Sequence, residues 1–352
     1  MTAPPTRDWH PARTWVAVVG TLEWQNKEMF DSFPKEKRRD AALVGFFQQA
    51  GVPAAQIVYL CDRQAHYAQI ARTLPAHFAQ ARPGDFLFVY YCGHGYKLDS
   101  GAACLACYDA GAEGCPDWQM ASLPALIEQH FPGDHALLAA DCCYSGCLAD
   151  AVTAHRGRVS YACLTSSLAS ESSTGNWTFT EGLLAGLQGQ AFADADDSST
   201  ITLQELAAQI LADLAFADEQ LASFVTTGAF NPQMVLAPAR RKPDPQVGHR
   251  VEVHAEGAWY RAQIIAAADD QFKVHYYGWE TTDDEWVTPD RMRQVIPVEY
   301  PVGTAVEVKW KRHWYPATVQ AVQSGIHHIQ YDSYDATWNE WVAGKRIRLP
   351  QG

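Results

Sequence analysis

Short, continuously apolar runs alternate with stretches of helical spacing through the first two thirds of the chain. The apolar runs are bounded by Gly, Pro and Asp and lie at residues 14–20, 57–60, 86–92, 136–140 and 161–165. Apolar residues at helical spacing occupy residues 39–50, 66–80, 122–130, 179–187 and 202–214. Runs without alternation are typical of strands buried on both faces, and strands that alternate with helices form mostly parallel sheets. The pattern therefore predicts an α/β domain.

A proline-rich basic segment follows this domain. Residues 237–246 read Ala-Pro-Ala-Arg-Arg-Lys-Pro-Asp-Pro-Gln, with three prolines and a basic cluster. Such a composition is typical of a linker. We therefore assign residues 1–237 to the α/β domain and residues 238–246 to the linker.

The rest of the chain repeats itself. Glu-Trp-Val at 285–287 returns at 340–342, and the Arg-x-Arg pattern at 291–293 returns at 346–348, in each case 55 positions later (340 − 285 = 55). A constant offset without gaps indicates a tandem duplication. Each copy alternates apolar and polar residues in several short runs, which predicts two small, strongly bent β-barrels at residues 247–296 and 301–350.

Composition restricts the class of protein. Apolar residues make up 47% and charged residues 19% of the 352 residues, so the low-hydrophobicity signature of disorder is absent. No apolar run reaches the 18 or so residues of a membrane span, and the N-terminus has no apolar signal region. The 9 cysteines lie unevenly between Cys61 and Cys163, which favours reduced thiols. We expect a cytoplasmic protein without a membrane partner.

Net charge differs between the two parts. The whole chain has 27 basic and 40 acidic residues, a balance of −13, which argues against a nucleic-acid backbone as the main partner. Residues 1–237 contain 13 basic and 25 acidic residues (13 − 25 = −12), and the remainder contains 14 and 15 (14 − 15 = −1). The acidic part is therefore expected to attract cationic ligands.

Two predicted strands end in polar turns flanked by glycine. The third apolar run leads into Gly-His-Gly, with His94 and Gly95, and the fourth leads into Asp-Cys-Cys-Tyr-Ser-Gly, with Cys143. Ligands bind at the carboxyl ends of parallel strands, so a histidine and a cysteine stand where a Cys–His nucleophilic pair is needed. Either residue alone is more often a turn or packing residue. Their joint placement favours a catalytic pair.

These motifs resemble those of the caspase-like (clan CD) cysteine peptidases, most closely the bacterial and metacaspase-type members. The separation of 49 residues (143 − 94) is close to the roughly 50 of caspases. The resemblance covers residues 1–237, where residues 230–236 are expected to form the closing strand of a six-stranded, mostly parallel sheet flanked by helices. It implies that Cys143 is the nucleophile, with Cys142 packed behind it. His94 would be the general acid/base, and the N–H groups of Gly95 and Cys143 would form the oxyanion hole.

The same resemblance implies a binding site for a basic side chain. Metacaspase-type enzymes hold the P1 residue between two aspartates, whose counterparts are Asp40 and Asp141, so cleavage after Arg or Lys is expected. Tyr144 replaces the histidine common in metacaspases, and the Gln-Ala-Cys-Arg-Gly of animal caspases is absent, which argues against cleavage after aspartate. The basic linker residues are candidate self-cleavage sites: Arg240, Arg241 and Lys242.

Two further clusters have metal-like spacing, although no cofactor is expected to be required. Asp194, Asp196 and Glu205 stand at positions 1, 3 and 12 of a calcium-loop pattern, but Ser199 replaces the glycine of position 6. A polar turn that caps the following helix is favoured, and calcium is the alternative. Cys104-Leu-Ala-Cys107, with Cys115 further on, lacks the second ligand pair of a zinc site and is interpreted as scattered thiols.

Aromatic residues dominate the duplicated part. It resembles the Tudor, chromo-barrel and agenet group of small barrels, which implies binding of a protein partner, in some members through methylated Lys or Arg in an aromatic cage. The tryptophans that recur in both copies are expected in the barrel cores: Trp259, Trp286, Trp314 and Trp341. The cage candidates lie in the less regular loops: Tyr277, Trp279, Tyr334 and Trp338. Nucleic acid is an unlikely partner, although a local patch of Lys309, Lys311 and Arg312 leaves it open.

Together these features predict a cysteine endopeptidase followed by two Tudor-like barrels that recruit or regulate it. The alternative is a catalytically silent α/β scaffold whose barrels make the protein an adaptor.

Overall fold

The computed structural model describes residues 7–36, 38–242 and 244–351. The chain divides into two compact units. The first contains the residues up to Leu211 together with Ala222–Gly248, and the second contains Ala212–Leu221 together with the residues from His249 onward.

The first unit alternates strands and helices. Its elements are β1 (Thr14–Gly20), α1 (Arg39–Gln49), β2 (Ile57–Cys61), α2 (Tyr67–Phe78), β3 (Phe86–Cys92), β4 (Gly95–Lys97), β5 (Ala103–Leu105), β6 (Trp118–Gln119), α3 (Leu123–His130), β7 (His135–Asp141), α4 (Gly146–Ala154), β8 (Ser160–Thr165), α5 (Thr178–Leu187), β9 (Thr200–Thr202), α6 (Leu203–Ala217, whose last turns belong to the second unit), β10 (Ser223–Thr226) and β11 (Val235–Pro238). In the described part of the chain, no helix is long and apolar enough to cross a membrane.

Six of these strands form the main sheet, in the order β2-β1-β3-β7-β8-β10. The first five are parallel and β10 is antiparallel to β8. The predicted α/β fold class with a mostly parallel six-stranded sheet is therefore confirmed.

The strand that closes the sheet was placed wrongly. The sequence indicated residues 230–236, but β11 pairs with β9 in a separate two-stranded sheet. The sixth strand is β10, which has only four residues, Ser-Phe-Val-Thr, and no fully buried side chain. Such a short edge strand lacks the continuous apolar run by which the central strands are identified.

Helices cover both faces of the sheet, which explains the continuous apolar runs. On one face, Val89 and Leu138 belong to a buried cluster with Ile70 of α2 and Val152 of α4. On the other face, the ring of Phe88 lies 4.8 Å from that of Phe47 in α1. Both faces therefore exclude water, and the open positions of the sheet are at the strand ends.

The second unit contains two sheets with the same strand order. The first copy has β12 (Arg250–Ala255), β13 (Ala258–Ala268), β14 (Gln271–Tyr276), β15 (Glu285–Val287) and β16 (Met292–Arg293). The second copy has β17 (Ala305–Trp310), β18 (His313–Gln323), β19 (Ile326–Tyr331), β20 (Glu340–Val342) and β21 (Ile347–Arg348). Each sheet is antiparallel and five-stranded. The longest strand of each sheet has a register shift at equivalent positions, between Ile264 and Ala266 in the first copy and between Val319 and Ala321 in the second. The prediction of two small all-β barrels is therefore confirmed.

The recurring tryptophans are not in the barrel cores. The core of the second copy consists mainly of small and β-branched residues, such as Val306, Val319 and Ile329. Trp259 and Trp286 are 39% and 42% exposed. Strand alternation puts these rings on the outer face of the barrels, where basic side chains cover two of them. The Arg293 guanidinium lies 4.1 Å from the ring centre of Trp259, and the Arg348 guanidinium lies 3.8 Å from the ring centre of Trp314.

Candidate active site

The ends of β3 and β7 bring the predicted catalytic residues together. The two strands are parallel neighbours, and Cys92 is paired with Asp141 at their carboxyl ends. His94 and Cys143 each follow two residues after this pair. Neighbouring strands are about 4.8 Å apart, so equivalent positions on them adjoin. The backbone N–H of Gly93 donates to the Asp141 carbonyl (3.3 Å), which continues the contact beyond the strands.

Gly95 lies directly against the backbone of Cys143. A Cβ atom at Gly95 would lie 1.9 Å from the Cys143 carbonyl oxygen. No other residue type fits there without moving the turn that carries the cysteine. The two predicted oxyanion donors, the N–H groups of Gly95 and Cys143, thus belong to segments in direct contact.

The imidazole of His94 is half-buried among aromatic rings. Its ring centre lies 4.5 Å from that of Trp24, 4.6 Å from Phe33 and 5.5 Å from Phe30. Nε2 lies 2.9 Å from the backbone carbonyl of Asp31, and a carbonyl oxygen only accepts, so Nε2 carries the proton and Nδ1 of the neutral ring is the base. Burial lowers the pKa of His94 below its ordinary value, and the ring is therefore neutral at pH 7.

The two adjacent cysteines differ in environment. Cys143 is partly exposed, and the backbone N–H of Ser173 donates to its sulfur (3.3 Å). Cys142 is 2% exposed, and burial together with the charges of Cys143 and Asp141 raises the pKa of its thiol well above the ordinary value. The geometry favours Cys143 as the reactive thiol and Cys142 as a packing residue.

Buried serines fix the turn that carries Cys143. Ser145, Ser166 and Ser167 are fully buried. The Ser167 hydroxyl accepts from the Ser145 N–H (3.1 Å) and donates to the Cys142 carbonyl (3.0 Å), and the Ser166 hydroxyl accepts from the Cys142 N–H (3.1 Å). We call these three residues the serine bracket.

Tyr144, directly after the nucleophile candidate, has a left-handed backbone. Its φ is 59°, which is uncommon for a bulky residue, and its N–H donates to the Glu171 carbonyl (2.8 Å). Strained residues of this kind occur where the surroundings fix a functional geometry. The serine bracket and the Glu171 carbonyl supply those surroundings here.

The two predicted S1 acids lie on either side of Cys92. Burial, followed by the charges of Asp40 and Asp141, raises the pKa of the Cys92 thiol well above its ordinary value. Asp40 is fully buried and accepts two hydrogen bonds from Arg38 (2.9 and 2.8 Å) and one from the Tyr59 hydroxyl (2.8 Å).

Asp141 is engaged differently from Asp40. It is 8% exposed and accepts from the Thr180 hydroxyl (2.7 Å). The charge of Asp40 is balanced by the guanidinium of Arg38.

Backbone groups of the site have no signal in the sequence. The Asp31 carbonyl and the Ser173 N–H would be present with any residue type at these positions, so residue identity could not reveal them. The aromatic surroundings of His94 did leave a signal, since Trp24, Phe30 and Phe33 all lie within 13 residues after the first predicted strand (33 − 20 = 13).

Among the described residues, one group has its ligand atoms close enough to hold a metal: Asp194, Asp196 and Glu205. Asp194 accepts from the N–H groups of Ser198 and Ser199 (3.1 and 3.0 Å). Glu205 and Thr202 bond each other's backbone N–H at the start of α6, which is a capping box. The polar capping turn is therefore observed, and calcium binding stays a prediction.

The linker is held by the first unit. The N–H groups of Ala239 and Arg240 donate to the carbonyls of Ser199 and Gly189, both at 2.9 Å. Arg240 and Arg241 have exposed side chains, while Lys242 forms an ion pair with Asp197 (3.1 Å). Cleavage here would first require release of this backbone.

The second barrel has a cavity of about 370 Å³, which we call the aromatic cavity. Its walls are Trp310, Tyr315, Tyr331, Tyr334, Thr337, Trp338, Asn339 and Glu340. Two cage candidates, Tyr334 and Trp338, are in it.

The cage candidates of the first barrel are placed differently. Trp279 is 47% exposed and contacts the rings of Tyr260 and Tyr276. Tyr277 is not a cage residue, and that prediction is wrong. Its hydroxyl donates to Asp213 (2.7 Å) and its ring packs on Phe216, because strand alternation directs it away from Tyr276.

Comparisons with known proteins agree with these two parts. The Agenet domain family model matches residues 248–297 and 303–351. A search of curated proteins gave no significant match. Among solved structures, a Geobacter sulfurreducens protein, GSU0716, is similar at 13% identity and a TM-score of 0.46, covering 65% of this chain and 100% of its own.

Two further solved structures are similar. Caspase-1 from Spodoptera frugiperda has 12% identity and a TM-score of 0.43, covering 68% of this chain and 96% of its own. The tandem Agenet domain 3-4 of ADCP1 has 20% identity and a TM-score of 0.15, covering 30% of this chain and 79% of its own. Likenesses at this level carry no information on activity. The chain thus combines an α/β domain with two consecutive segments that match the Agenet domain family model.

Proposed function

We propose that the α/β domain is a cysteine endopeptidase. The observation that carries the proposal is the placement of His94 and Cys143 at equivalent positions beyond a paired Cys92 and Asp141. A neutral imidazole with its Nε2 tied to a carbonyl, and a partly exposed thiol beside a backbone N–H, are the components of nucleophilic acyl transfer.

The residues then act in sequence. Nδ1 of His94 takes the thiol proton, and the Cys143 sulfur attacks the scissile carbonyl carbon. The oxyanion is stabilised by the N–H groups of Gly95 and Cys143. His94 returns the proton to the leaving amine, and water, deprotonated by His94, hydrolyses the thioester.

Active-site labelling tests this proposal. We expect a peptidyl-arginyl chloromethylketone to modify Cys143, and substitution Cys143→Ala to abolish the modification. Cys142→Ala is the matched control, because this neighbouring thiol is buried and should not react. A chain that cleaves no peptide and takes up no label, while iodoacetamide still alkylates Cys143, would instead support the adaptor role of a silent scaffold.

We propose cleavage after Arg or Lys, with Asp40 and Asp141 as the contacts of the P1 cation. The excess of acidic residues before the linker supports this preference. Arg38 shows that a guanidinium fits beside Asp40, but it also means that a substrate must share that carboxylate.

A pair of substrates with P1 side chains of the same shape but different charge tests the preference. Citrulline has the shape of arginine without its charge, and a charge-assisted hydrogen bond contributes about 1.5–3 kcal/mol. We expect kcat/KM to be roughly 10- to 100-fold higher for P1 arginine than for P1 citrulline, and this ratio to fall in Asp141→Asn. Equal rates for the two substrates in the parent enzyme would refute a basic S1 site.

The Agenet domains are proposed to bind a protein partner through aromatic side chains and thereby to recruit or regulate the peptidase.

The basic linker residues suit the proposed specificity, so self-cleavage at 240–242 would separate peptidase and Agenet domains. Parent chain and Cys143→Ala chain, incubated side by side, test this: an intact parent chain in active enzyme would rule self-cleavage out.

A further inference from the structure

We propose that the turn between β17 and β18, in the second Agenet domain, is a binding site for single-stranded nucleic acid. The site consists of three cationic side chains, which we call the basic tip, and of one exposed indole among them. The basic tip is Lys309, Lys311 and Arg312, and the indole is that of Trp310. The proposal goes beyond the protein-binding role given above to the Agenet domains, and it does not depend on peptidase activity.

The first copy has no counterpart of the basic tip. Residues 309–313 read Lys-Trp-Lys-Arg-His, whereas residues 254–258, at the repeat offset (309 − 254 = 55), read His-Ala-Glu-Gly-Ala. In both copies a two-residue turn joins the same pair of antiparallel strands. With histidine neutral, the five residues carry a formal charge of −1 in the first copy and +3 in the second. The duplicated turn has therefore kept its fold while its charge has been inverted.

The chemistry of the turn does not account for these residues. Lys311 has a left-handed backbone with a φ of 52°, which is uncommon for a long side chain, and Arg312 stands where the first copy has Gly257. Tight hairpin turns favour Gly, Asn and Asp at such positions. All five residues from 309 to 313 are exposed. Two long cations in this turn thus serve contact with a ligand better than they serve the fold.

The charge of the basic tip is not balanced by the protein itself. Two acids of the same barrel are engaged by other cations, since Glu307 pairs with Arg348 (2.8 Å) and Glu340 pairs with Arg346 (2.7 Å). Within the described residues, the side chains of the basic tip form no ion pair. Exposed cations without a partner attract polyanions, and a phosphate backbone gains further from the release of its counterions.

The exposed indole favours a nucleic acid over an acidic protein. Trp310 is 48% exposed and stands between Lys309 and Lys311 in the chain. An aromatic ring stacks on an unpaired base while neighbouring cations bind the phosphates, and this combination is typical of single-strand sites. A duplex keeps its bases paired and stacked, and an acidic peptide has carboxylates but no base. A single strand is therefore the ligand that uses both parts of the site.

Fluorescence anisotropy on the full chain carrying Cys143→Ala tests the proposal without self-processing. The labelled probes are oligouridine and oligothymidine of about 12 nucleotides, a duplex of the same length and an oligoglutamate peptide of the same charge. We expect both single strands to bind more tightly than the duplex and the peptide, and the tighter strand identifies the preferred nucleic acid. Three phosphate contacts predict a slope of about −2 for the logarithm of affinity against the logarithm of salt concentration.

Exchange of the turn residues locates the site. Lys311→Glu together with Arg312→Gly gives the second copy the turn of the first, in which these residues are already compatible with the same pair of strands. We expect this variant to bind at least 10-fold more weakly at low salt, with the slope reduced to about −0.7. Trp310→Ala should weaken binding at least 5-fold and leave the slope unchanged, because stacking carries no charge.

A charge reversal elsewhere is the matched control. Lys27→Glu, at an exposed lysine of the first unit, should leave binding unchanged. Absence of binding to either strand at low salt, equal affinity for the duplex or the glutamate peptide, or unchanged affinity after the turn exchange would each overturn the proposal.

Discussion

Removing the hydroxyl of Ser167 should loosen the turn that holds Cys143. Ser167→Ala removes the bonds of this hydroxyl to the Ser145 N–H, the Ser145 hydroxyl and the Cys142 carbonyl, which are 3.1, 3.1 and 3.0 Å long. At about 1 kcal/mol for each buried bond, the loss is about 3 kcal/mol. For a domain of 150–250 residues, 1 kcal/mol corresponds to about 2–4 °C, so we expect the melting temperature of this domain to fall by roughly 6–12 °C.

Reactivity should fall as well, because a displacement of about 1 Å at a reacting group can reduce the rate about 100-fold. Iodoacetamide alkylation of Cys143, followed by mass spectrometry at a temperature where the variant is folded, measures this directly. Hydrogen exchange of the 142–148 peptide reports on the same turn. Ser172→Ala is the matched control, since Ser172 is an exposed serine of the same loop. If the two variants have the same melting temperature and alkylation rate, the serine bracket does not position the turn.

Further outcomes follow from the site geometry. Gly95→Ala should reduce Cys143 alkylation at least 10-fold, because the added Cβ would overlap the Cys143 carbonyl oxygen. Gly45→Ala, where the added Cβ would meet open space within α1, should instead stabilise the chain against thermal unfolding by about 1 kcal/mol. Burial lowers the pKa of His94, so the alkylation rate should fall only below about pH 6.5, and Phe33→Ala should move this fall to higher pH. The unfolded chain binds this proton more readily, so the stability contributed by the neutral ring should be lost as pH falls below about 6.5, which urea titrations at pH 5 and 7 would detect. An unchanged pH profile in Phe33→Ala would show that the aromatic rings do not set the pKa.

Periodicity was sufficient for the central sheet. Four strands, β1, β3, β7 and β8, are continuous apolar runs because helices cover both faces, and the same coverage made them visible in the sequence. Edge elements gave no such signal: β10 is short and half-exposed, and β4–β6 contain two or three residues each. Their positions depend on pairing across the fold and not on local composition.

The candidate site was predictable where it consists of side chains. His94 and Cys143 could be located because they follow apolar runs in glycine turns. The internal pairing of Asp40 with Arg38 could not, since two residues of separation do not show whether the side chains meet. The outward placement of the recurring tryptophans could not be predicted either, because the barrel face that each occupies follows from the register of its strand.

The orienting partner of His94 is a main-chain carbonyl, and this has a consequence for how the site can be altered. Replacing Asp31 by another residue leaves that oxygen in place, so point substitutions there should hardly affect turnover. Shortening the loop that precedes α1 would move the oxygen and leave the imidazole without its fixed tautomer. The site should therefore be more sensitive at position 31 to insertions and deletions than to a change of side chain.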